Sequence, residues 1–327
     1  MGIFDKRVEM KPYEYPEALE FMKALRGTMW FIDEFRESLK RDVTDYKYNL
    51  SETERGVIKR ALIAISQIEV SVKTFWGKIG DKMPKAEIYK TGITCAHNEV
   101  IHEEAYSELL TELGIEDEFS LALQEPCIQG RVDYLTKYLR GASDSKEENY
   151  ALTLILFSAF IEACSLFSQF YIIKSFCQRK QTMKTIDNII MATAKEEDLH
   201  FQFGAYLTNI IKKENPDWFD DNFNEKIKRA CKKAYEAEMD IVDWILGEEG
   251  LDFVSREEVD NFLKYRFNLA TESVGIEGLY EVDKVALKES SKWFEEERVL
   301  DARNDFFDSQ SINYAVGQQE ISPDSLF

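Results

Sequence analysis

The chain is poor in helix breakers and in the side chain that most often carries catalysis. Its 327 residues include only 15 glycines, 6 prolines and 3 histidines. So few breakers exclude a loop-rich or many-stranded architecture, and no βαβ alternation or short-period repeat is present. No glycine-rich phosphate loop is present, so the chain on its own should bind no nucleotide. The five cysteines (Cys95, Cys127, Cys164, Cys177, Cys231) form no Cys-x-x-Cys pair and are odd in number. That pattern points to buried free thiols in a reducing compartment. No excess of positive charge is found either. With 41 basic and 61 acidic residues the net charge is −20, which argues against nonspecific binding to nucleic acid or to an anionic membrane. No uninterrupted apolar run reaches membrane length, and the N-terminal MGIFDKRVEMKPYEYP has no apolar signal core. The expected location is the cytoplasm.

What is present is concentrated. Two of the three histidines close the same tetrad, Glu99-Val100-Ile101-His102 and Glu197-Asp198-Leu199-His200. Residues three apart on a helix share a face one turn apart, so each tetrad aims a carboxylate and an imidazole at one spot. Two such helices, with one more carboxylate from each of two others, build the dinuclear iron or manganese site of a four-helix bundle. The third histidine, His97, reads as a polar-face or core residue.

The two further carboxylates should be acids on otherwise apolar helices, one ahead of each tetrad. Glu69 ends the run Ile63-Ala64-Ile65-Ser66-Gln67-Ile68, and Glu162 is the only charge between Ala151 and Ile173. A buried carboxylate needs a partner, and metal coordination supplies one. The alternatives are a core pairing with an Arg or Lys for Glu162, and a pairing with Lys73, one turn on, for Glu69. The expected ligand set is Glu69, Glu99, His102, Glu162, Glu197 and His200.

Helical periodicity runs with few breaks from about residue 17 to about residue 300. Ser51-Glu52-Thr53-Glu54 is a capping box opening the Glu69 helix. Pro84 separates that helix from the Glu99 helix, and Asn215-Pro216 ends the second tetrad helix. The expectation is all-α: one helical domain over 1–300, with about eight long helices. After Asp301 the chain turns polar and loses its period, which reads as a flexible tail over 301–327. The tail still carries Tyr314, Ala315, Val316 and a terminal Leu326-Phe327, which suit an anchor for a partner.

With these residues in hand, the chain resembles the small, radical-generating subunit of class I ribonucleotide reductase, a ferritin-like four-helix bundle with additional helices. In that family a tyrosine follows the first ligand histidine by four residues, as Tyr106 follows His102 here. An N-terminal tryptophan lies on the long-range radical path, and Trp30 in TMWFIDEF falls at a compatible place. A tail tyrosine precedes an apolar pair and Gly, as in Tyr314-Ala315-Val316-Gly317, and PDSLF resembles the terminal peptide that docks on the large subunit. The resemblance implies that the metals react with dioxygen or a reduced oxygen species. An oxidising equivalent is stored on Tyr106 or on the metals, then passes through Trp30 and Tyr314 to a cysteine of the large subunit. It also implies a homodimer and a flavoprotein activator. A ferritin-like oxidase or desaturase and a ferritin-like metal store share the ligand set but have no need of the tail.

Three positions depart from the family pattern. The first ligand is Glu69 where Asp is usual, and Glu196 stands where an Asp usually links a ligand histidine to the tryptophan. Lys73 is a cation one turn beyond Glu69. Held between Glu69 and Tyr106, it would donate to the phenol oxygen and leave the stored equivalent on the metals. Glu69 and Lys73 together favour two manganese ions, with Fe/Fe and Mn/Fe next.

Overall fold

A computed structural model of the chain describes residues 2–141 and 146–294. Among these residues there is no strand, only an isolated antiparallel bridge between Leu251 and Val254. The helices are α1 (Ala18–Thr28), α2 (Arg36–Thr44), α3 (Glu52–Gly77), α4 (Ile79–Lys82), α5 (Ala86–Leu113), α6 (Glu116–Ala122) and α7 (Pro126–Gly141). They are followed by α8 (Glu147–Ile155), a π-helical segment (Leu156–Ser165), α9 (Phe167–Lys180), α10 (Lys184–Glu214), α11 (Asp221–Leu246) and α12 (Arg256–Ser273). The expected long helices are present, with short α2, α4 and α6 between them and a further helical stretch over 284–294. The proposed tail and Tyr314 lie outside the described residues.

Local chemistry explains most boundaries. The Ser51 hydroxyl accepts from Glu54 N at 3.2 Å and the Glu54 carboxylate accepts from Ser51 N at 2.8 Å, closing the capping box of α3. Gly114, at φ +73°, ends α5 in the left-handed conformation that glycine adopts without cost. Asp220 and Ser255 cap α11 and α12 through the backbone of Phe223 and Glu258. The cap of α10 comes from elsewhere in the chain. Asp42 of α2 accepts from both Thr185 N and Ile186 N at 2.7 Å. The helix carrying the second tetrad is therefore pinned at its N-terminus by tertiary structure, a contact invisible to local pattern.

The core bundle is formed by α3, α5, α10 and the continuous stretch from α8 through α9. α3 lies along α5, the π segment along α10, and α9 reaches back to α3. Glu147–Lys180 is long and apolar enough to cross a membrane by length and composition alone. Here it is packed inside the bundle, and 94% of its most apolar window is buried. Glu162 interrupts its apolar run, so the expectation that no uninterrupted run reaches membrane length stands. Side chains such as Phe160, Phe167, Phe170 and Ile172 are fully buried, each stabilising the fold by roughly 1.5–3 kcal/mol.

One element departs from the 3.6-residue period read from the sequence. Glu162 sits on the π segment, not on an α-helix. The wider turn inserts extra backbone, and hydroxyl and thiol donors inside it serve the carbonyls five residues back. Ser165 Oγ donates to Phe160 O at 3.0 Å, and Cys164 Sγ to Ala159 O at 3.4 Å. Such segments re-aim side chains and recur at functional sites.

Candidate metal centre

The six acids and histidines singled out by spacing come from four elements and meet in one buried cluster. Glu69 comes from α3, Glu99 and His102 from α5, Glu162 from the π segment, and Glu197 and His200 from α10. None is more than 1% exposed. They fall into two overlapping groups of four, Glu69, Glu99, His102, Glu197 and Glu99, Glu162, Glu197, His200. In each group the ligand atoms lie within 4.8 Å of one another. Glu99 and Glu197 belong to both. His102 Nδ1 lies 3.5 Å from Glu99 Oε2 and 3.2 Å from Glu197 Oε1. His200 Nδ1 lies 3.0 Å from Glu99 Oε1 and 3.4 Å from Glu197 Oε2. Each shared carboxylate thus turns one oxygen to each half of the cluster. Glu69 flanks the first half, 3.8 Å from His102 Nδ1, and Glu162 the second, 3.5 Å from His200 Nδ1.

Four carboxylates in a dry interior are costly unless cations hold them. Both oxygens of Glu69, Glu99 and Glu197 lack hydrogen-bond partners, as do Nδ1 of His102 and of His200. These atoms face one another, and their oxygen-rich donor set suits first-row cations such as manganese and iron. The arrangement is a dinuclear metal site.

Without metal, the cluster shares protons. Burial, then the neighbouring Glu99 and Glu197 charges, hold the Glu69 carboxyl well above the usual range; burial with Glu197 and Glu99 does the same to Glu162. Burial works against charge on His102 and His200, but Glu196, Glu197 and Glu99 around His102, and Cys95 followed by Glu162 and Glu197 around His200, outweigh it and both imidazoles are raised. Glu197 moves the other way: burial is outweighed by the close approach of Glu162, His102 and His200. The raised groups support the metal-free fold fully below their unfolded values, about 4.3 for Glu and about 6.5 for His, and that support is lost as pH rises through the higher folded values. Glu197 opposes them: its support is present above about 4.3 and lost as pH falls through its depressed value. From neutral pH upward the metal-free protein should therefore lose stability from the histidines. Cations must displace the shared protons, so metal loading should release protons, detectable with a pH indicator in weak buffer. Loading at 100 times Kd should add about 2.7 kcal/mol per site, read as a raised Tm. A metal titration with no proton release and no change in Tm would exclude binding at this cluster.

The surroundings include residues the sequence reading placed and several it missed. Glu196 Oε2 accepts from Trp30 Nε1 at 3.1 Å and lies 2.8 Å from His102 Nε2, so one carboxylate joins the histidine to the tryptophan. Its other oxygen accepts from Asn98 Nδ2 at 2.7 Å and Thr28 Oγ1 at 3.2 Å. Asn98 is four residues before His102, a helical spacing that would have revealed it. Trp76 donates its indole N–H to Glu162 Oε1 at 2.7 Å. It follows Glu69 by seven residues, on the same helical face. Tyr106 is fully buried, and its phenol donates to Thr193 Oγ1 at 3.0 Å; Thr193 in turn donates to Ile189 O at 3.1 Å. His97 is exposed on α5.

Lys73 requires a correction. Its ammonium pairs with Glu103 at 2.5 Å and lies near the Glu69 and Val70 carbonyls, at 3.3 and 3.2 Å. It contacts neither the Glu69 carboxylate nor the Tyr106 phenol. The half-exposed Glu103 offers it a partner without desolvating an ammonium. The cofactor-binding role expected for Lys73, and the argument from it for where the oxidising equivalent rests, lose their contact.

The approach of α10 to the π segment depends on Gly204, one turn beyond His200. A Cβ at this position would lie 2.1 Å from Ser158 Cβ. Gly204→Ala should therefore push the Glu162 segment away from the His200 helix. We expect a loss of roughly 1–3 kcal/mol of stability from overpacking, together with weakened metal binding. Unchanged Tm and unchanged metal content in Gly204→Ala would show that the two elements yield freely.

A family model described as "Ribonucleotide reductase, small chain" matches residues 7–288. The chain is 22% identical over 324 residues to a probable ribonucleoside-diphosphate reductase small subunit of Invertebrate iridescent virus 3, covering 94% of this chain and 84% of that protein. Among solved structures it is similar to the ribonucleotide reductase R2 subunit from Clostridium botulinum, with TM-score 0.79 and 19% identity over 89% of this chain and 91% of that one. It is also similar to dimanganese(II)-NrdF of Streptococcus sanguinis, with TM-score 0.72 and 17% identity over 87% and 97% of the two chains. The structural likenesses show a shared fold.

Proposed function

Because the chain belongs to the family of ribonucleotide reductase small chains, we propose that Glu69, Glu99, His102, Glu162, Glu197 and His200 are the ligands of its dinuclear centre. We propose further that Glu196, Trp30 and Tyr314 carry the oxidising equivalent outward. The function is that of the small subunit of ribonucleoside-diphosphate reductase, acting with a large subunit, not that of a ferritin-like oxidase, desaturase or metal store. The observation that carries the ligand assignment is the pair of overlapping four-residue groups sharing Glu99 and Glu197. When bound, the metals supply oxygen activation and one-electron oxidation.

The protein's own residues do the rest. Glu99 and Glu197 span the two halves of the cluster. Buried side chains such as Trp76, Phe157 and Phe203 wall it from water. Glu196 holds His102 and Trp30 on the same oxygen, so charge at the cluster and charge on the indole are felt through one carboxylate. The stacked rings of Trp30 and His102, centroids 6.0 Å apart, keep the tryptophan beside the cluster.

Two manganese ions are the favoured pair, supported by the all-glutamate carboxylate set and by the similarity to a protein described as a dimanganese(II) form. Metal analysis of protein from its own host, with its electron paramagnetic resonance spectrum, tests this against Fe/Fe and Mn/Fe. A flavoprotein activator is part of the same proposal. Homodimerisation is supported by the exposed apolar side chains Tyr89, Ile93 and Val100 of α5 and Val70 of α3. A cytoplasmic location fits the five free cysteines.

The radical-path reading is tested on the tail. Tyr314→Phe, loaded with metal and mixed with the large subunit, should bind its partner normally yet turn over at least a hundredfold more slowly, because only the redox-active hydroxyl is lost. Deleting Ser322 to Phe327 should instead weaken the complex. Full turnover by Tyr314→Phe would remove that residue from the path.

A further inference from the structure

Two of the proposed ligand-bearing elements are joined by a buried cation that belongs to neither. Arg266 stands on α12 and is 2% exposed. Its Nε donates to the carbonyl of Ala163 at 2.9 Å, and its Nη2 donates to Asp198 Oδ1 at 3.1 Å. Ala163 immediately follows Glu162 on the π segment, and Asp198 immediately follows Glu197 on α10. The guanidinium plane also lies over the Phe167 ring, 3.6 Å from its centroid, just beyond the end of the π segment. One rigid group is thus held at three points, two of them adjacent in sequence to proposed ligands.

We propose that Arg266 is a positioning residue of the metal centre, a clamp that sets where the Glu162 carboxylate stands relative to Glu197 and His200. The inference rests on the ligand assignment made above. Its physical ground is the weakness of the alternatives. A π-helix is rare and appears mostly as single turns inside α-helices, so a ten-residue π segment calls for surroundings that hold it. An arginine fork has fixed donor directions, which suits it to hold two acceptors at a set separation; a lysine is a point charge on a flexible stem. A buried ion pair is a poor way to gain stability, since well-packed apolar replacements are often as stable. Its placement between two ligand-bearing elements is better explained by geometry. The Gly204–Ser158 contact limits how closely the π segment and α10 approach; Arg266 ties them together beside the ligands.

The test separates geometry from stability. Arg266→Met combined with Asp198→Leu removes both charges together, so neither is left buried without the other, and the Ala163 carbonyl loses one donor. We expect this variant, metal-free, to melt close to the wild type and to keep its helical circular dichroism. In manganese(II) titrations it should bind one of its two ions 10- to 100-fold more weakly, the range seen when groups supporting metal ligands are lost. The paramagnetic resonance spectrum of the manganese(II)-loaded protein should change accordingly. Two ions bound at wild-type affinity with a wild-type spectrum would overturn the clamp. Should the double variant fail to fold, Arg266→Lys keeps the charge but not the two-armed reach. It should show the same weakening, and wild-type binding by Arg266→Lys would be equally fatal. If the wild-type protein itself does not take two manganese ions, the ligand assignment fails; if it does and these variants do too, only the clamp fails.

Discussion

Glu162→Ala is expected to bind no more than one metal ion per chain after gel filtration, where the wild type binds two. Glu162 is the only residue of the second group that is not shared or on a tetrad, and it reaches the cluster from the π segment. Removing it leaves His200 with the two shared glutamates, Glu99 and Glu197, whose other oxygens serve the first group. The fold should survive. The substitution deletes a buried carboxyl whose burial and acidic neighbours make its charge unfavourable. Against that relief it orphans the Trp76 indole N–H, at a cost of about 1–3 kcal/mol. Far-UV circular dichroism of the metal-free variant should match the wild type, and the metal-dependent rise in Tm should shrink by about half. Two metals retained at wild-type affinity would refute the ligand assignment.

Glu196→Ala should have the largest effect on the working enzyme. Four donors converge on this carboxylate: Thr28, Trp30, Asn98 and His102. Three of them, Trp30, Asn98 and His102, come from side chains that are themselves buried. Truncation leaves those donors without a partner at about 1–3 kcal/mol each before relaxation, so a net loss of roughly 3 kcal/mol is expected. It also severs the hydrogen-bonded bridge from His102 to Trp30, and turnover with the large subunit should fall at least a thousandfold. Glu196→Gln separates the two effects. Asn98 can turn its amide to accept from the new NH2, since its Oδ1 has no partner, leaving the remaining oxygen for Trp30 and His102. That variant should fold and take two metals, yet turn over at least tenfold more slowly for want of the negative charge. Wild-type turnover in Glu196→Ala, measured as deoxynucleotide formed, would show that Trp30 is reached by another route.

The sequence alone determined the helical class, because so few glycines and prolines leave an amphipathic period uninterrupted, and it determined the two tetrads, because three-residue spacing on a helix is a geometric identity. Glu69 and Glu162 were legible for a related reason: an acid in an apolar run must find a partner. The link through Glu196 came only from the family resemblance, which places an acid just ahead of the second tetrad. Tertiary structure alone decided which partner each polar group took. Lys73 shares a helical face with Glu69, yet its ammonium reaches Glu103 of α5, where the charge stays near solvent. The period of an apolar run does not reveal a π turn, because burial on every side removes the contrast that periodicity needs, so the true setting of Glu162 was hidden. Asp42 capping α10, Trp76 on Glu162 and Arg266 between Ala163 and Asp198 join residues up to 144 positions apart. Local patterning carries no information about such pairs. They exist because burying the bundle brings orphaned donors and acceptors from distant helices together, and each must be satisfied where it lands.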